Sequence, residues 1–198
     1  MHPRWRDLAV AGHTGDASLA RSALTDADPV ARQLALGALE RLGELDDATL
    51  AAALVDDEPT VRRRAAELAA GHPGVGLRAA LVDRDPTVQE VAAWSCGEHV
   101  EVDDEVLARL ISMATGSSTP LVREAAVAAL GAIGDDRGLP AILVACGDAP
   151  AVRRRAVLAL APFEGDEVDA AIERALTDRD WQVRQAAEDL RRAEQLDE

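Results

Sequence analysis

Small apolar residues recur along this chain at helical spacing, each time behind an acidic run and a proline. In "LTDADPVARQLALGALERLG", Leu24 to Gly43, Ala31, Ala35 and Ala38 stand two, six and nine places beyond Pro29, on one face of a helix of 3.6 residues per turn. The phrase returns as "LVDDEPTVRRRAAELAAG", "LVDRDPTVQEVAAWSCG" and "LTDRDWQVRQAAEDL". With the proline as position zero, the copies start at Pro29, Pro59, Pro86, Pro120 and Pro150, with Trp181 in the last slot, spaced by 30, 27, 34, 30 and 31 residues. Position six is Ala in every copy (Ala35, Ala65, Ala92, Ala126, Ala156, Ala187) and position three is Arg except at Gln89. An invariant Ala on the apolar face lets a neighbouring helix approach closely.

The polar residues punctuate the same pattern. Asp28, Glu58, Asp85 and Asp180 precede position zero, where a short acid caps free backbone N–H groups and proline supplies a preset φ without needing a donor; Glu58 is the poorer cap and acts through the dipole. Upstream of each such helix lies a second apolar-periodic segment: Leu19 to Leu24, Leu50 to Leu54, Leu77 to Leu81, Val106 to Met113, Leu139 to Val144 and Val168 to Leu176. Asp16, Asp47, Asp103, Asp136 and Asp166 are the expected N-caps of five of them. Each unit is therefore a helical hairpin. The third is the weakest, because "GHPGVGLRAAL" with Pro73, Gly74 and Gly76 leaves little room for a long helix.

Pro3, Trp5, Arg6 and Ala9 repeat the second-helix register in shortened form, so the chain reads as one domain, 1–198: a half repeat, 1–12, then full repeats at 13–43, 44–71, 72–99, 100–134, 135–164 and 165–198. The polar "RRAEQLDE" at the end suits a terminal cap, and the array is expected to be complete as written. This recurring Asp, Pro, Val-Arg, Ala pattern resembles HEAT repeats of the short bacterial type found in phycobilisome-lyase-like proteins. The resemblance implies an all-α, right-handed α-solenoid of about 13 helices. It also implies second helices lining a concave side, with an Asp–Arg ladder between neighbours. Here the ladder would use Asp26, Asp56, Asp83 and Asp178 with Arg32, Arg62, Arg123, Arg153 and Arg184. In the fourth and fifth copies Ser117 and Gly147 replace the first acid and Thr119 and Ala149 the second, and a softer joint or a slight change of curvature is expected there.

Composition narrows the setting. The 48% apolar residues are mostly Ala, Leu and Val, with one Phe, three Trp and no Tyr, which suits helix packing better than a sheet. A formal charge of −15 opposes approach to a phosphate backbone, so nucleic acid is not an expected partner. No apolar run approaches the ~20 residues needed to span a bilayer, and the start of the chain lacks a signal-peptide core; a cytoplasmic protein without membrane association is expected. Cys96 and Cys146 would lie about two layers, ~20 Å, apart, beyond disulfide reach, and read as free thiols.

Signatures of chemistry are missing from the expected places. Deoxyhypusine hydroxylase, a di-iron HEAT-like enzyme, carries His-Glu pairs just after the arginine column; the matching slots here read Gln33-Leu34, Arg63-Arg64, Glu90-Val91, Glu124-Ala125, Arg154-Arg155 and Gln185-Ala186. HEAT-like DNA glycosylases need a basic, aromatic-bearing face. His13, His72 and His99 belong to different layers and read as partial cations near helix C-termini rather than metal ligands. No nucleophile elbow occurs. No catalytic residue, metal or cofactor is assigned, and the "RRR" runs at Arg62 and Arg153 cannot turn all three side chains to one ligand.

With positions two, six and nine buried, positions one, four and eight face the concave groove. They hold Arg63 and Glu67; Glu90 and Trp94; Leu121 and Glu124; Arg154 and Leu158. Trp94 is the outlier, with the makeup of a binding anchor, unless it turns into the space left by the short third hairpin and fills core. The expected function is a non-catalytic, monomeric scaffold or adaptor holding a protein or peptide in that groove. The alternative is a lyase or oxidoreductase-related subunit of the phycobilisome-lyase-like group.

Overall fold

The computed structural model describes residues 3–99 and 101–197. Regular structure among them is helical: α1 (Pro3–Thr14), α2 (Ala17–Ala23), α3 (Pro29–Leu42), α4 (Asp47–Ala53), α5 (Pro59–Leu68), α6 (Pro86–Gly97), α7 (Asp104–Gly116), α8 (Pro120–Ile133), α9 (Leu139–Ala145), α10 (Pro150–Ala159), α11 (Asp166–Ala175) and α12 (Trp181–Asp197). Single 3-10 turns add Ala69–Gly71, Ala80–Val82 and Asp136–Gly138.

Among the described residues this makes 12 α-helices rather than about 13. The missing one is the first helix of the third hairpin. Pro73 withholds a donor, and Gly74 and Gly76 add backbone entropy, so only the 3-10 turn at Ala80–Val82 forms. Its apolar residues are buried all the same, Val75 to 4%, Leu77 to 3% and Leu81 to 0% exposure.

The chain divides into two compact units, Met1–Ser95 and Cys96–Glu198, with the boundary inside α6. In the first, α2 packs on α3 and α4 on α5, while α1, α3 and α5 stack in sequence. Ser95 Oγ, fully buried, donates to the Ala66 carbonyl at 2.6 Å and fastens α6 to α5. In the second, α7 pairs with α8, α9 with α10 and α11 with α12, and α10 lies against both α8 and α12.

The close contacts explain the apolar columns. All six alanines of position six are 0% exposed, and position two, from Ala31 to Val183, is buried to 1% or less. Gly131 marks a close backbone approach of α8 to α10: a Cβ there would lie 2.6 Å from Ala159 Cα. Leu8, Leu36, Leu50, Leu110 and Ile172 fill the space between helices, each stabilising by about 1.5–3 kcal/mol through burial.

Second-helix N-termini are capped as their residues allow. Asp28, Asp85 and Asp180 accept from the N–H of Val30, Thr87 and Gln182 at 3.0, 2.8 and 2.8 Å, whereas Glu58 makes no such bond. Asp16 and Asp103 cap α2 and α7. Three expected caps lie one residue too late. Asp46 rather than Asp47 caps α4, Asp135 rather than Asp136 caps the 3-10 turn before α9, and Gly165 rather than Asp166 precedes α11. Gly165 has φ +116°, a conformation that a side-chain-bearing cap residue rarely adopts.

Candidate functional site

Arginine three residues into four of the second helices, α3, α5, α8 and α10, reaches back along its own turn and forward to the next repeat. Arg32 donates through Nε and Nη2 to Asp56 at 2.8 and 2.7 Å, and through Nη1 to the Asp26 carbonyl at 2.7 Å. Arg62 grips Asp83 at 2.6 and 2.8 Å and the Asp56 carbonyl at 2.8 Å. In the second unit Arg123 holds Asp148 at 2.6 and 2.7 Å, and Arg153 holds Asp178 at 2.9 and 2.7 Å. Arg184 donates to the Asp178 carbonyl at 2.7 Å. The four arginine–carboxylate contacts are fork-to-fork pairs that only a guanidinium can make, and the chain's cations other than histidine are all arginine.

Asp148 was not legible as a ladder residue, because it stands two places before Pro150 while the other acids stand three before position zero. It accepts from the Ala149 N–H, whereas Asp26, Asp56, Asp83 and Asp178 accept from the amide two residues on. The shift restores the carboxylate that Gly147 lacks, so the rung from the fourth to the fifth repeat is intact. Gln89 supplies only the carbonyl bond, Nε2 to Asp83 O at 2.6 Å, and Ser117 offers its carbonyl to Arg123 at 2.7 Å.

The rungs are partly dry, with side chains of Arg62 and Asp83 exposed by 6% and 9%. Hydrogen bonds from Arg62, Arg123 and Arg153 hold the carboxyls of Asp83, Asp148 and Asp178 below the usual carboxylate range. For Asp56, burial pushes upward, and the Arg32 guanidinium with the Glu58 amide outweighs it. The network ties the turn of one repeat to the second helix of the repeat before it.

His72 is more than a cation at a helix end. Its Nε2 lies 3.0 Å from Glu40 Oε2 and its Nδ1 3.0 Å from Asp47 Oδ1. Satisfying both carboxylates requires two N–H groups, hence the imidazolium. The bonds to Glu40 and Asp47 raise its pKa against the opposing effect of burial.

The exposed face of the second helices carries the predicted binding residues, unit by unit. In the first, Trp94 is 43% exposed, so it does not fill the core. Arg63 is exposed; Glu67 and Glu90 are half-buried. Arg64 Nη1 donates to Glu67 Oε2 at 2.9 Å, and Gln33 Nε2 to Thr60 Oγ1 at 3.1 Å. In the second, Leu121 and Leu158 are 48% and 39% exposed. Arg154 and Glu124 are half-buried there, with Arg155 Nε 3.9 Å from Glu124. Trp181, in the slot of the proline, is 64% exposed, an outlier that its place at the first helical position disclosed.

Neither unit shows a reaction centre among the described residues. No group of three or more His, Cys, Asp and Glu side chains is placed to hold a metal ion. Cys96 and Cys146 are free, and burial pushes their thiols up to about 12 and about 11. A cleft of about 350 Å3 between α9 and α11 has Arg174 and the already bonded Asp178 as its charged lining. No described helix is long and apolar enough to cross a membrane.

A family profile for HEAT repeats matches residues 75–161 and again 107–190, together more than half of the chain. A search of curated proteins finds no match. Among solved structures, YibA of Escherichia coli aligns with a TM-score of 0.65 at 19% identity, over 94% of this chain and 73% of its own. An engineered protein aligns at 0.63 and 18% identity, over 93% of this chain and 62% of its own. A designed armadillo repeat protein solved in complex with the peptide (KR)4 aligns at 0.59 and 16% identity, over 96% and 97%. At such identities the likeness is one of fold, and it carries the repeat architecture rather than a phycobilisome-lyase-like subtype.

Proposed function

This chain belongs to the family of HEAT-repeat proteins, whose fold is an α-solenoid of helical hairpins, and from that premise we propose that it is a non-catalytic scaffold or adaptor. It holds a protein or peptide partner on the exposed face of its second helices. The observation that carries this reading is the exposure of Trp94, Leu121 and Leu158, at 43%, 48% and 39%, in a protein that buries position two of the same helices almost completely. Large side chains held on rigid helices lose little entropy on binding and make good anchors. A designed armadillo repeat protein of similar fold is solved with a peptide, which supports a peptide as one form of partner. Two free thiols suit a reducing compartment such as the cytoplasm.

Selection from a random peptide library against the full chain tests the reading. Enriched peptides should lose at least about fivefold in affinity on Trp94→Ala or Leu158→Ala while the thermal midpoint stays near that of the parent. Peptides that bind both variants as well as the parent would refute it.

A further inference from the structure

The surroundings of Trp94 narrow what it can hold. Glu90 precedes it by four residues on α6, so carboxylate and indole share a helix face, with their Cβ atoms about 6 Å apart. Glu67 has the same register on α5, eight residues beyond Pro59 as Trp94 is beyond Pro86, and α5 and α6 are joined at Ser95 and Ala66. Arg64 donates to Glu67 Oε2 and pairs with that carboxylate; Glu67 Oε1 accepts no hydrogen bond, and the Glu90 carboxylate has no hydrogen-bond or ion-pair partner, among the described residues. The indole has no ring or cation partner among them either. An aromatic face with its negative quadrupole and two under-used carboxylates on adjacent helices is the chemistry that receives a cation.

Resting on the docking reading above, we propose that Trp94, Glu90 and Glu67 form a seat for one cationic side chain, arginine or lysine, of an extended partner segment. The cation lies on the indole while the carboxylates take its N–H groups. The field of the protein favours such a partner: the first unit holds 15 acids against 10 arginines and the whole chain carries −15. Arg63, exposed on the same face of α5 and without an ion-pair partner among the described residues, is the charge that works against it. Removing it should therefore tighten binding.

The test is a fluorescence-anisotropy titration of the full chain with a labelled peptide of alternating lysine and arginine, and with a glutamine peptide of equal length, at ~0.15 M salt to suppress long-range attraction. Trp94→Leu and Glu90→Gln should each weaken the basic peptide by about fivefold or more, and Arg63→Gln should tighten it about twofold. Glu173→Gln, which removes the same charge from α11, should leave it unchanged, and the glutamine peptide should not bind. Equal losses from Glu173→Gln and Glu90→Gln, unchanged binding by Trp94→Leu, or binding of the glutamine peptide would overturn the seat. If library peptides depend on Trp94 but the basic peptide does not bind, the docking reading stands and the cationic seat falls.

Discussion

Replacing Arg62 by leucine puts the ladder to its most demanding test. Arg62 is 5% exposed and makes two bonds to Asp83, at 2.6 and 2.8 Å, with two more to the carbonyls of Asp56 and Asp57 at 2.8 and 3.0 Å. The substitution leaves the Asp83 carboxylate, 9% exposed, without its counter-charge. Breaking a buried pair from one side costs about 3–5 kcal/mol. The Asp85 amide still donates to Asp83 at 2.8 Å, so the low end, about 3 kcal/mol, is expected. For a chain of this size that corresponds to a fall in thermal midpoint of roughly 6–12 °C. Arg32→Leu breaks a wetter pair, exposed by 14% and 16%, and should cost about 2 kcal/mol. Arg62→Leu with Asp83→Leu removes the stranded charge but also loses the two carbonyl bonds and the acceptor of the Asp85 amide, so about 2 kcal/mol should remain. Urea unfolding followed by circular dichroism measures all three, since urea does not screen charges as guanidinium salts do. An Arg62→Leu protein within about 1 kcal/mol of the parent, or one harmed less than Arg32→Leu, would show that the ladder contributes no more than surface pairs do.

Three further outcomes follow from local geometry. The pKa of His72 is raised in the folded state by Glu40 and Asp47. Its stabilisation is therefore full below the unfolded value of ~6.5 and is lost as pH rises through the folded one; the stability gap between parent and His72→Gln should be wide near pH 5.5 and close by alkaline pH, and a constant gap would contradict the double clasp. Gly131→Ala gains about 1 kcal/mol in helix propensity but drives a Cβ to 2.6 Å from Ala159 Cα. It should lower stability by about 1–3 kcal/mol, whereas Gly116→Ala, with no atom within 4 Å, should be neutral or stabilising in the same urea assay. Burial raises the Cys96 and Cys146 thiols to about 12 and about 11. A thiol-specific disulfide reagent at pH 8 should therefore label both slowly in the folded protein and rapidly in urea, with half-buried Cys146 the faster; prompt labelling of Cys96 would show that the α6 core opens readily.

The second helices, their register and the buried columns could be read from the residue pattern alone, because positions two, six and nine follow from the helical repeat and an Ala at position six admits a close neighbour. It also set Trp94 apart, since a large aromatic among Gly, Glu, Ala, Leu and Asp in one column needs no coordinates to be seen. Where position and chemistry separate by one residue, tertiary structure decided. Asp148 reaches Arg123 from outside the column because its carboxylate is held by the adjacent Ala149 amide, and column counting does not register that. The third hairpin kept its buried leucines without its helix, since apolar periodicity reports burial while Pro73, Gly74 and Gly76 govern the backbone. His72 met two carboxylates, 32 and 25 residues distant in sequence, a pairing of separate elements that no local pattern encodes. Exposure of the indole was likewise outside the pattern: Val75, Leu77 and Leu81 lie buried in the third repeat while Trp94 stays at the surface.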